Sequence, residues 1–316
     1  MTLRRIGNSG LQVSLVGLGC NNFGGRTDFD GTRKVVHKAL DLGITLFDTA
    51  DIYGENGGSE EYLGRILGER RKDIVLATKF GMEFGKSGVK KGAARRYIMM
   101  AVEDSLIRLK TDWIDLYQLH APDPLTPIEE TLRALDDLVR QGKVRYIGCS
   151  NLPAWQVVEA QWTSRHHNLE SFICCQDEYS LVQRSIVEKE LQPAMQAYGM
   201  GLLPFFPLAS GLLTGKYKRD AAAPSGTRFA STQRLADRYG TPANWTIVEA
   251  LEAFCKQRGH SLLELAFSWL LARPCVSSVI AGATRPEQLD QNVQAAGWFL
   301  SAEDLAEIDR ITLPKA

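Results

Sequence analysis

The sequence predicts an α/β protein in which eight parallel strands alternate with helices and close into a (β/α)8 TIM barrel. The first observation is that eight short apolar runs are nearly all separated by amphipathic helical patterns, which requires parallel strands. The second is that polar residues end almost every run, as they do in barrels. An open doubly wound sheet, the alternative, would need them only beside one crevice. We expect 1–316 to form a single domain, because this length suits one barrel.

A β-hairpin is predicted ahead of the first barrel strand. Residues 3–13 flank the turn Asn8-Ser-Gly10, and from this position the hairpin can plug the bottom of the barrel. The strand at 15–20 then ends in glycines, and Gly-x-Gly-x-x-Asn at 17–22 nearly matches the dinucleotide fingerprint. The third glycine is missing and no helix begins at once, so we reject a Rossmann interpretation of this loop.

Three consecutive strands each end on an ionisable side chain. The second strand ends at Asp48, with Tyr53 a few residues later, the third at Lys79 and the fourth at His120. A buried carboxylate requires a compensating cation, so Lys79 is the candidate partner of Asp48. Taken singly, Asp48 could cap a turn and His120 could be a structural histidine. Four such residues in this order favour a site at the carboxyl ends of the strands.

The remaining elements follow the same alternation. Asp30 is predicted to cap the first helix, Gly43 to end it, and Ser59 to begin the second helix. Segments 81–94 and 209–243 lack a regular pattern and are expected to be loops. Further strands are predicted at 144–148, 172–175, 201–205 and 277–281, and further helices at 97–109, 126–142, 185–198, 245–258, 261–272, 286–296 and 302–311, with another that begins at Pro153. The chain therefore has extra C-terminal helices beyond the eight repeats.

Composition excludes several classes of function. Lys plus Arg and Asp plus Glu both number 37, so no basic excess indicates nucleic acid or an anionic membrane. The six cysteines lack metal-like spacing, so no metal site is predicted, and Cys149, Cys174 and Cys175 are expected to be reduced core residues. The N-terminus has no apolar signal core, and the most apolar segment, 200–213, is too short to span a bilayer and is broken by prolines. We expect a cytoplasmic protein.

The motif Asp-Thr-Ala-Asp-x-Tyr-Gly at 48–54, followed by Thr-Lys and Leu-His strand ends, resembles the aldo-keto reductase family. The resemblance extends over 19–292 and includes Gly-Leu-Leu-Thr-Gly-Lys at 211–216. Members of that family are (β/α)8 barrels that bind NADP(H) and reduce carbonyls. The resemblance implies a catalytic tetrad of Asp48, Tyr53, Lys79 and His120.

The four residues have distinct expected roles. A reduced carbonyl requires a proton, and Tyr53 is the proposed acid. Tyrosine has a reference pKa of about 10, so the cation of Lys79 is expected to lower it. Asp48 would hold Lys79 in place, and His120 would hydrogen-bond the substrate oxygen or share in proton transfer.

The resemblance also implies a cofactor site along the second half of the chain. Ser150, Asn151 and Gln176 match positions that bind the nicotinamide carboxamide, and Phe205 matches an aromatic residue that stacks on the nicotinamide ring. As alternatives, Asn151 also suits a turn and Gln176 could satisfy backbone groups. The complete set of cofactor positions is Gly19, Cys20, Ser150, Asn151, Gln176, Phe205, Pro207, Leu208, Ser210, Gly211, Leu212, Lys216, Gly282, Thr284, Arg285, Gln288, Gln291 and Asn292.

The loop after the last strand is the predicted phosphate site. It enters a helix, where backbone amides attract anions, and Arg285 adds a fixed cation. In similar reductases this stretch binds the adenosine 2′-phosphate, a role that maps onto Thr284, Arg285, Gln288 and Asn292. The alternative is a capping box from Thr284 to Glu287 with a surface arginine. NADPH is favoured, and NADH is possible.

Three functions remain open from the sequence. The first is an NADPH-dependent aldehyde or ketone reductase. The second is a regulatory subunit that holds NADPH with little turnover, and His-Ala-Pro-Asp at 120–123 resembles the bacterial and channel-subunit-like branches of the family. The third is a sugar dehydrogenase that works with NAD(P)+. The expected partner is a small carbonyl or sugar substrate, and the sequence leaves the oligomeric state open.

Overall fold

The computed structural model describes residues 2–85 and 88–313. It begins with the antiparallel hairpin β1 (Leu3–Arg5) and β2 (Gln12–Ser14). At the turn, the Asn8 N–H donates to the Gly199 carbonyl over 2.8 Å. The side chains of Ile6 and Val13 are fully buried inside the barrel. The hairpin therefore plugs the barrel, as its position in the sequence predicts.

Eight parallel strands form the barrel. Their order in the sheet is β10, β3, β4, β5, β6, β7, β8, β9. The ends of this sheet meet, because the Leu202 N–H donates to the Cys275 carbonyl over 2.7 Å and the Ser277 N–H donates to the Leu202 carbonyl over 2.9 Å. The strands are β3 (Val16–Gly19), β4 (Leu46–Asp48), β5 (Val75–Phe80), β6 (Ile114–Leu119), β7 (Val144–Ser150), β8 (Cys174–Gln176), β9 (Gly201–Leu202) and β10 (Val279–Gly282).

Helices surround the sheet, which confirms the predicted (β/α)8 architecture. Those in the described ranges are α1 (Phe29–Asp41), α2 (Tyr53–Leu67), α3 (Arg95–Leu109), α4 (Ile128–Arg140), α5 (Ala154–His167), α6 (Gln192–Tyr198), α7 (Arg228–Ser231), α8 (Gln233–Tyr239), α9 (Pro242–Arg258), α10 (Leu262–Leu271), α11 (Pro286–Ala295) and α12 (Ala302–Thr312). A π-helical turn, Val187–Leu191, leads into α6, and 3₁₀ turns lie at Gly68–Asp73 and Ala209–Thr214. No helix in these ranges is long and apolar enough to cross a membrane.

Apolar side chains on the two sides of the strands form separate cores. The larger core lies between the strands and the helices and includes Phe47, Tyr117 and Trp269. The smaller core fills the barrel interior and includes Leu46 and Leu116. Successive residues of a strand point to opposite sides, so Asp48 and Gln118 lie on the inner side with these leucines. The alternation therefore directs polar side chains into the barrel mouth.

The cap of α1 differs from the sequence prediction, whereas regular helical geometry in α2 begins near Ser59, as predicted. The cap of α1 is Asp28, whose carboxylate accepts from the Gly31 N–H over 2.8 Å, so Asp30 lies in the first turn instead. Both aspartates satisfy the capping preference, and the chain path selects the earlier one. Regular helical geometry in α2 begins only near Ser59, because residues 54–57 have positive φ angles. This irregular first turn follows Tyr53 directly.

Candidate active site

A cleft of about 1190 Å³ opens at the carboxyl ends of the barrel strands. Strand ends contribute Gly19, Asp48, Ser150, Gln176 and Gly282 to its lining. The carboxyl ends of parallel barrel strands converge on one face of the molecule. Side chains that are far apart in the sequence therefore meet around one cleft.

At the floor of the cleft, Lys79 and Asp48 form a buried ion pair. The Lys79 Nζ lies 2.7 Å from Asp48 Oδ2 and also donates to the Thr49 carbonyl over 2.8 Å. The Lys79 side chain has no exposed surface. Burial alone would lower the Lys79 pKa, but the Asp48 carboxylate and Tyr53 outweigh burial and raise it. Lys79 therefore remains a cation at neutral pH.

Tyr53 lies between this cation and His120. The Lys79 Nζ is 5.0 Å from the centroid of the Tyr53 ring, and the rings of Tyr53 and His120 pack edge to face with centroids 5.7 Å apart. Gly54 enables this placement, because its φ is 69° and a Cβ there would lie 2.3 Å from the Phe23 carbonyl oxygen. The four residues of the predicted tetrad thus lie together, although they come from separate segments.

The pKa of Tyr53 differs from the sequence-based expectation. Burial raises the pKa of the phenol above its ordinary value, and the nearby Asp48 carboxylate adds to this. The Lys79 cation acts in the opposite direction but does not reverse the shift. Tyr53 is therefore protonated at neutral pH. Lys79 limits the increase in the Tyr53 pKa but does not lower this pKa below its ordinary value.

His120 is a neutral imidazole in this setting. Burial, followed by the Lys79 cation, lowers its pKa to about 3. Its Nδ1 is buried without a hydrogen-bond partner among the described residues. A neutral imidazole has one N–H donor and one acceptor, so His120 can hydrogen-bond a ligand in the cleft without carrying a charge.

Ser150, Asn151 and Gln176 form a connected polar group beside the ion pair. The Ser150 hydroxyl donates to the Gln176 carbonyl over 2.7 Å, and Asn151 Nδ2 donates to the His120 carbonyl over 3.0 Å. Asn151 has a φ of 60°, a left-handed conformation that asparagine tolerates. Gln176 Nε2 donates to Asp48 Oδ1 over 2.8 Å. Sequence reasoning did not identify Gln118, whose amide joins the same group.

The loop after β10 ends in a helix start that differs from the predicted capping box. Gln288 Oε1, not Glu287, accepts from the backbone N–H groups of Thr284 and Arg285, over 2.8 and 3.1 Å. The Asn292 side chain is buried at the cleft wall. Two backbone amides are thus already occupied, which leaves Arg285 and the side-chain amides to contact a ligand at this end.

A loop of unusual backbone conformation covers another side of the cleft. Phe206, Ala209 and Ser210 have positive φ angles of 48°, 45° and 58°, rare for residues with a Cβ. The Ser210 hydroxyl is buried and has no hydrogen-bond partner within the described structure. Strained backbone together with an unpartnered hydroxyl indicates that this loop is shaped to receive a ligand.

Two arginines at the cleft were not identified from the sequence. Arg228, at the start of α7, donates to Asn22 Oδ1 over 3.3 Å. Burial, and then the neighbouring cation of Arg26, lowers the Arg228 pKa. In the part of the chain that the structure describes, neither arginine forms a salt bridge with a carboxylate. Two adjacent cations of this kind attract an anion.

Nearly all of the expected site residues line the cleft. Leu212 does not, since its side chain is buried in the larger core, and Lys79 lies beneath the surface. No group of three or more His, Cys, Asp or Glu side chains suited to a metal ion occurs in residues 2–85 and 88–313. The expected residues in the lining are Gly19, Cys20, Asp48, Tyr53, His120, Ser150, Asn151, Gln176, Phe205, Pro207, Leu208, Ser210, Gly211, Lys216, Gly282, Thr284, Arg285, Gln288, Gln291 and Asn292.

Comparison with known proteins finds related sequences over nearly the whole chain. The family described as Aldo/keto reductase family matches residues 15–312. A probable voltage-gated potassium channel subunit beta of Oryza sativa subsp. japonica is 37% identical over 93% of this chain and 91% of that protein. The L-glyceraldehyde 3-phosphate reductase of Escherichia coli (strain K12) is 35% identical over 98% and 92%. An uncharacterized oxidoreductase of Bacillus subtilis (strain 168) is 36% identical over 97% and 94%.

Proposed function

The chain belongs to the aldo/keto reductase family, and on this premise we propose that it transfers a hydride from NADPH to an aldehyde or ketone. The observation that carries the proposal is the grouping of Tyr53, Lys79, Asp48 and His120 at the floor of one cleft. A protonated phenol beside a fixed ammonium and a neutral imidazole can protonate an oxygen that gains negative charge.

Each of the four side chains has one part in this reaction. Tyr53 holds the proton that the carbonyl oxygen receives. Lys79 stabilises the phenolate that forms, because its cation already opposes the increase in the Tyr53 pKa. Asp48 compensates the buried ammonium and fixes its position through the 2.7 Å contact. His120 donates a hydrogen bond to the carbonyl oxygen and so aligns the substrate with Tyr53.

The polar groups of the cleft suit a phosphorylated dinucleotide. The bound cofactor would supply the hydride. Ser150, Asn151 and Gln176 would hold the carboxamide, with Phe205 against the nicotinamide ring. The unpartnered Ser210 hydroxyl and the adjacent cations of Arg26 and Arg228 would meet the phosphates, because buried donors and unpaired cations require such partners.

A preference for NADPH over NADH rests on the loop after β10. Arg285 lines the cleft beside Thr284 and Asn292, where a 2′-phosphate would add a charge-assisted contact. The occupied amides of this loop make the arginine side chain the principal donor.

We also propose that residues 1–316 form one domain. A cytoplasmic location is proposed because all six cysteines are free thiols.

A regulatory role is the second candidate. Two relatives, at 37% and 38% identity, carry the name probable voltage-gated potassium channel subunit beta. A protein of this kind would bind NADPH tightly and turn over slowly in complex with a partner. An intact set of Tyr53, Lys79, Asp48 and His120 is compatible with both candidates, so the rate of turnover distinguishes them.

A steady-state survey tests the proposal. The purified protein is assayed with NADPH and a panel of aldehydes and ketones, and with NADP+ and a panel of sugars and alcohols. Carbonyl reduction predicts multiple turnovers in the first panel. A single slow turnover together with co-purification of a partner would favour the regulatory candidate, and faster oxidation of sugars would favour a dehydrogenase.

A further inference from the structure

Gln118 is a fully buried polar residue on the inner side of β6, where apolar side chains are usual. In the sheet it is paired with Lys79 on one side and with Gly148 on the other. A Cβ on Gly148 would lie 3.2 Å from the Gln118 Cγ, tighter than most such contacts. The glycine therefore leaves the space in which the Gln118 side chain extends across the barrel.

The two ends of the Gln118 amide contact different partners. Its Nε2 donates to Asp48 Oδ1 over 3.3 Å, and its Oε1 accepts from Gln176 Nε2 over 3.5 Å. Gln176 Nε2 also donates to Asp48 Oδ1, over 2.8 Å, while Asp48 Oδ2 is bound by Lys79. The carboxylate thus receives donors from two amides and one ammonium.

This network determines which way the Gln176 amide faces. Its Nε2 lies within hydrogen-bond distance of two acceptors, Asp48 Oδ1 and Gln118 Oε1. If the Gln176 amide were flipped, its oxygen would face Asp48 Oδ1 and Gln118 Oε1. All three atoms are acceptors, so no hydrogen bond could form among them. Gln118 cannot flip either, because its own oxygen would then face Asp48. The oxygen of Gln176, which lines the cleft, therefore remains available to a ligand.

We propose that Gln118 is a positioning residue that locks the Gln176 amide with its oxygen towards the cleft, so that the site selects a ligand bearing an N–H donor. The inference rests on the proposed function, in which that ligand is the primary carboxamide of the nicotinamide ring. Gln118 does not touch the ligand itself. It acts through Gln176, whose orientation it restricts, together with the Asp48 carboxylate, to the one that accepts a hydrogen bond.

The test compares two cofactors that differ at this group. In the 3-acetylpyridine analogue of NADP+, a methyl group replaces the carboxamide nitrogen, so the N–H donor is lost and the carbonyl is retained. Calorimetry gives the ratio of the two dissociation constants for the wild type and for Gln118→Leu. The wild type is expected to bind NADP+ more tightly than the analogue. In the variant, the ratio of the two dissociation constants should be about tenfold closer to one, which is the size expected for one hydrogen bond.

Two further variants complete the design. Gln118→Met retains an unbranched side chain and serves as a second apolar replacement should leucine disturb packing. Cys174→Ala, another inner residue beside Gly148, is the matched control and should keep the wild-type ratio.

The outcomes separate this inference from the proposed function. A ratio that is unchanged in both Gln118 variants, with NADP+ still bound, overturns the positioning role alone. A wild-type protein that binds neither cofactor overturns the proposed function instead. Because the readout is a ratio of affinities, a variant that binds cofactor but has lost its catalytic rate still gives an answer.

Discussion

At the scale of single residues, the buried pair of Lys79 and Asp48 is the main electrostatic feature of the site. Neither charge has appreciable contact with solvent. Removal of one partner from such a pair leaves an uncompensated buried charge, which typically costs about 3 to 5 kcal/mol. The pair therefore affects folding as well as chemistry.

Lys79→Met is expected to lower the free energy of unfolding by roughly this amount, because Asp48 is left without its cation. The double variant Asp48→Asn/Lys79→Met should lose less than the sum of the two single variants. Urea unfolding of the four proteins measures the coupling. Strict additivity would contradict a direct contact between these two side chains.

His120 gives a prediction for the pH dependence of stability. Its pKa is about 3 in the folded protein, below the ordinary value of 6.5. The unfolded chain therefore binds more protons between these pH values, and stability is lost as the pH falls from 6.5 towards 3. The loss in unfolding free energy between pH 7 and pH 5 should be smaller in His120→Gln than in the wild type by about 2 kcal/mol.

Urea unfolding at the two pH values measures this difference. The comparison between variants removes the contributions of other titrating groups that the substitution leaves unchanged. An equal pH dependence in both proteins would show that His120 titrates near its ordinary pKa, and it would then carry a charge in the cleft at mildly acidic pH.

At the scale of elements, the first turn of α2 controls where Tyr53 lies. Residues 54–57 all have positive φ angles, and the Asn56 Oδ1 accepts from the Gly85 N–H over 3.0 Å. Helical geometry from the outset would direct the chain elsewhere. The irregular turn is thus the local feature that places the phenol beside Lys79.

Gly54→Ala tests this element. The φ of 69° and the close approach to the Phe23 carbonyl would force the turn to shift and displace Tyr53, so a loss of at least tenfold in kcat is expected. Gly68→Ala is the matched control, because Gly68 also has a positive φ but open space around its Cβ position. The control should lose about 1 to 3 kcal/mol of stability with kcat retained.

Equal effects of the two substitutions on kcat would contradict a positioning role for the turn. Melting temperatures of both variants separate a displaced Tyr53 from a general loss of folded protein.

The elements also show what the sequence can and cannot predict. The ends of parallel barrel strands converge on one face, so the sequence alone predicts that Asp48, Lys79 and His120 lie together. Gln118 was missed because it lies within an apolar run. Its signal is the strand period of two, which places it on the same side as His120. Arg228 belongs to a long segment that no repeat constrains, so its path over the cleft could not be predicted.

At the scale of the whole molecule, the cleft draws its lining from strand ends around the barrel. β3 and β10 are paired neighbours in the sheet, although they lie far apart in the chain. A dinucleotide in this cleft would contact segments from both halves of the sequence. Its binding should therefore stabilise the complete fold.

Thermal unfolding tests this coupling. At a hundredfold excess over its dissociation constant, a ligand stabilises the folded state by about 2.7 kcal/mol. NADPH should raise the Tm more than NADH at equal concentration, because Arg285 would contact the 2′-phosphate. Arg285→Ala should bring the two shifts close together, whereas Arg310→Ala, a distant surface arginine on α12, should leave the difference intact. An unaltered difference in Arg285→Ala would contradict the phosphate assignment.

The most direct test of the central claim follows the hydride itself. The protein is incubated with NADPH that carries deuterium at both C4 positions and with a carbonyl that it turns over, and the alcohol is analysed by mass spectrometry. We predict one deuterium on the former carbonyl carbon, and product formation reduced by roughly 10² to 10⁴ in Tyr53→Phe while NADPH binding is retained. An alcohol without deuterium, or a Tyr53→Phe variant as fast as the wild type, would contradict the account.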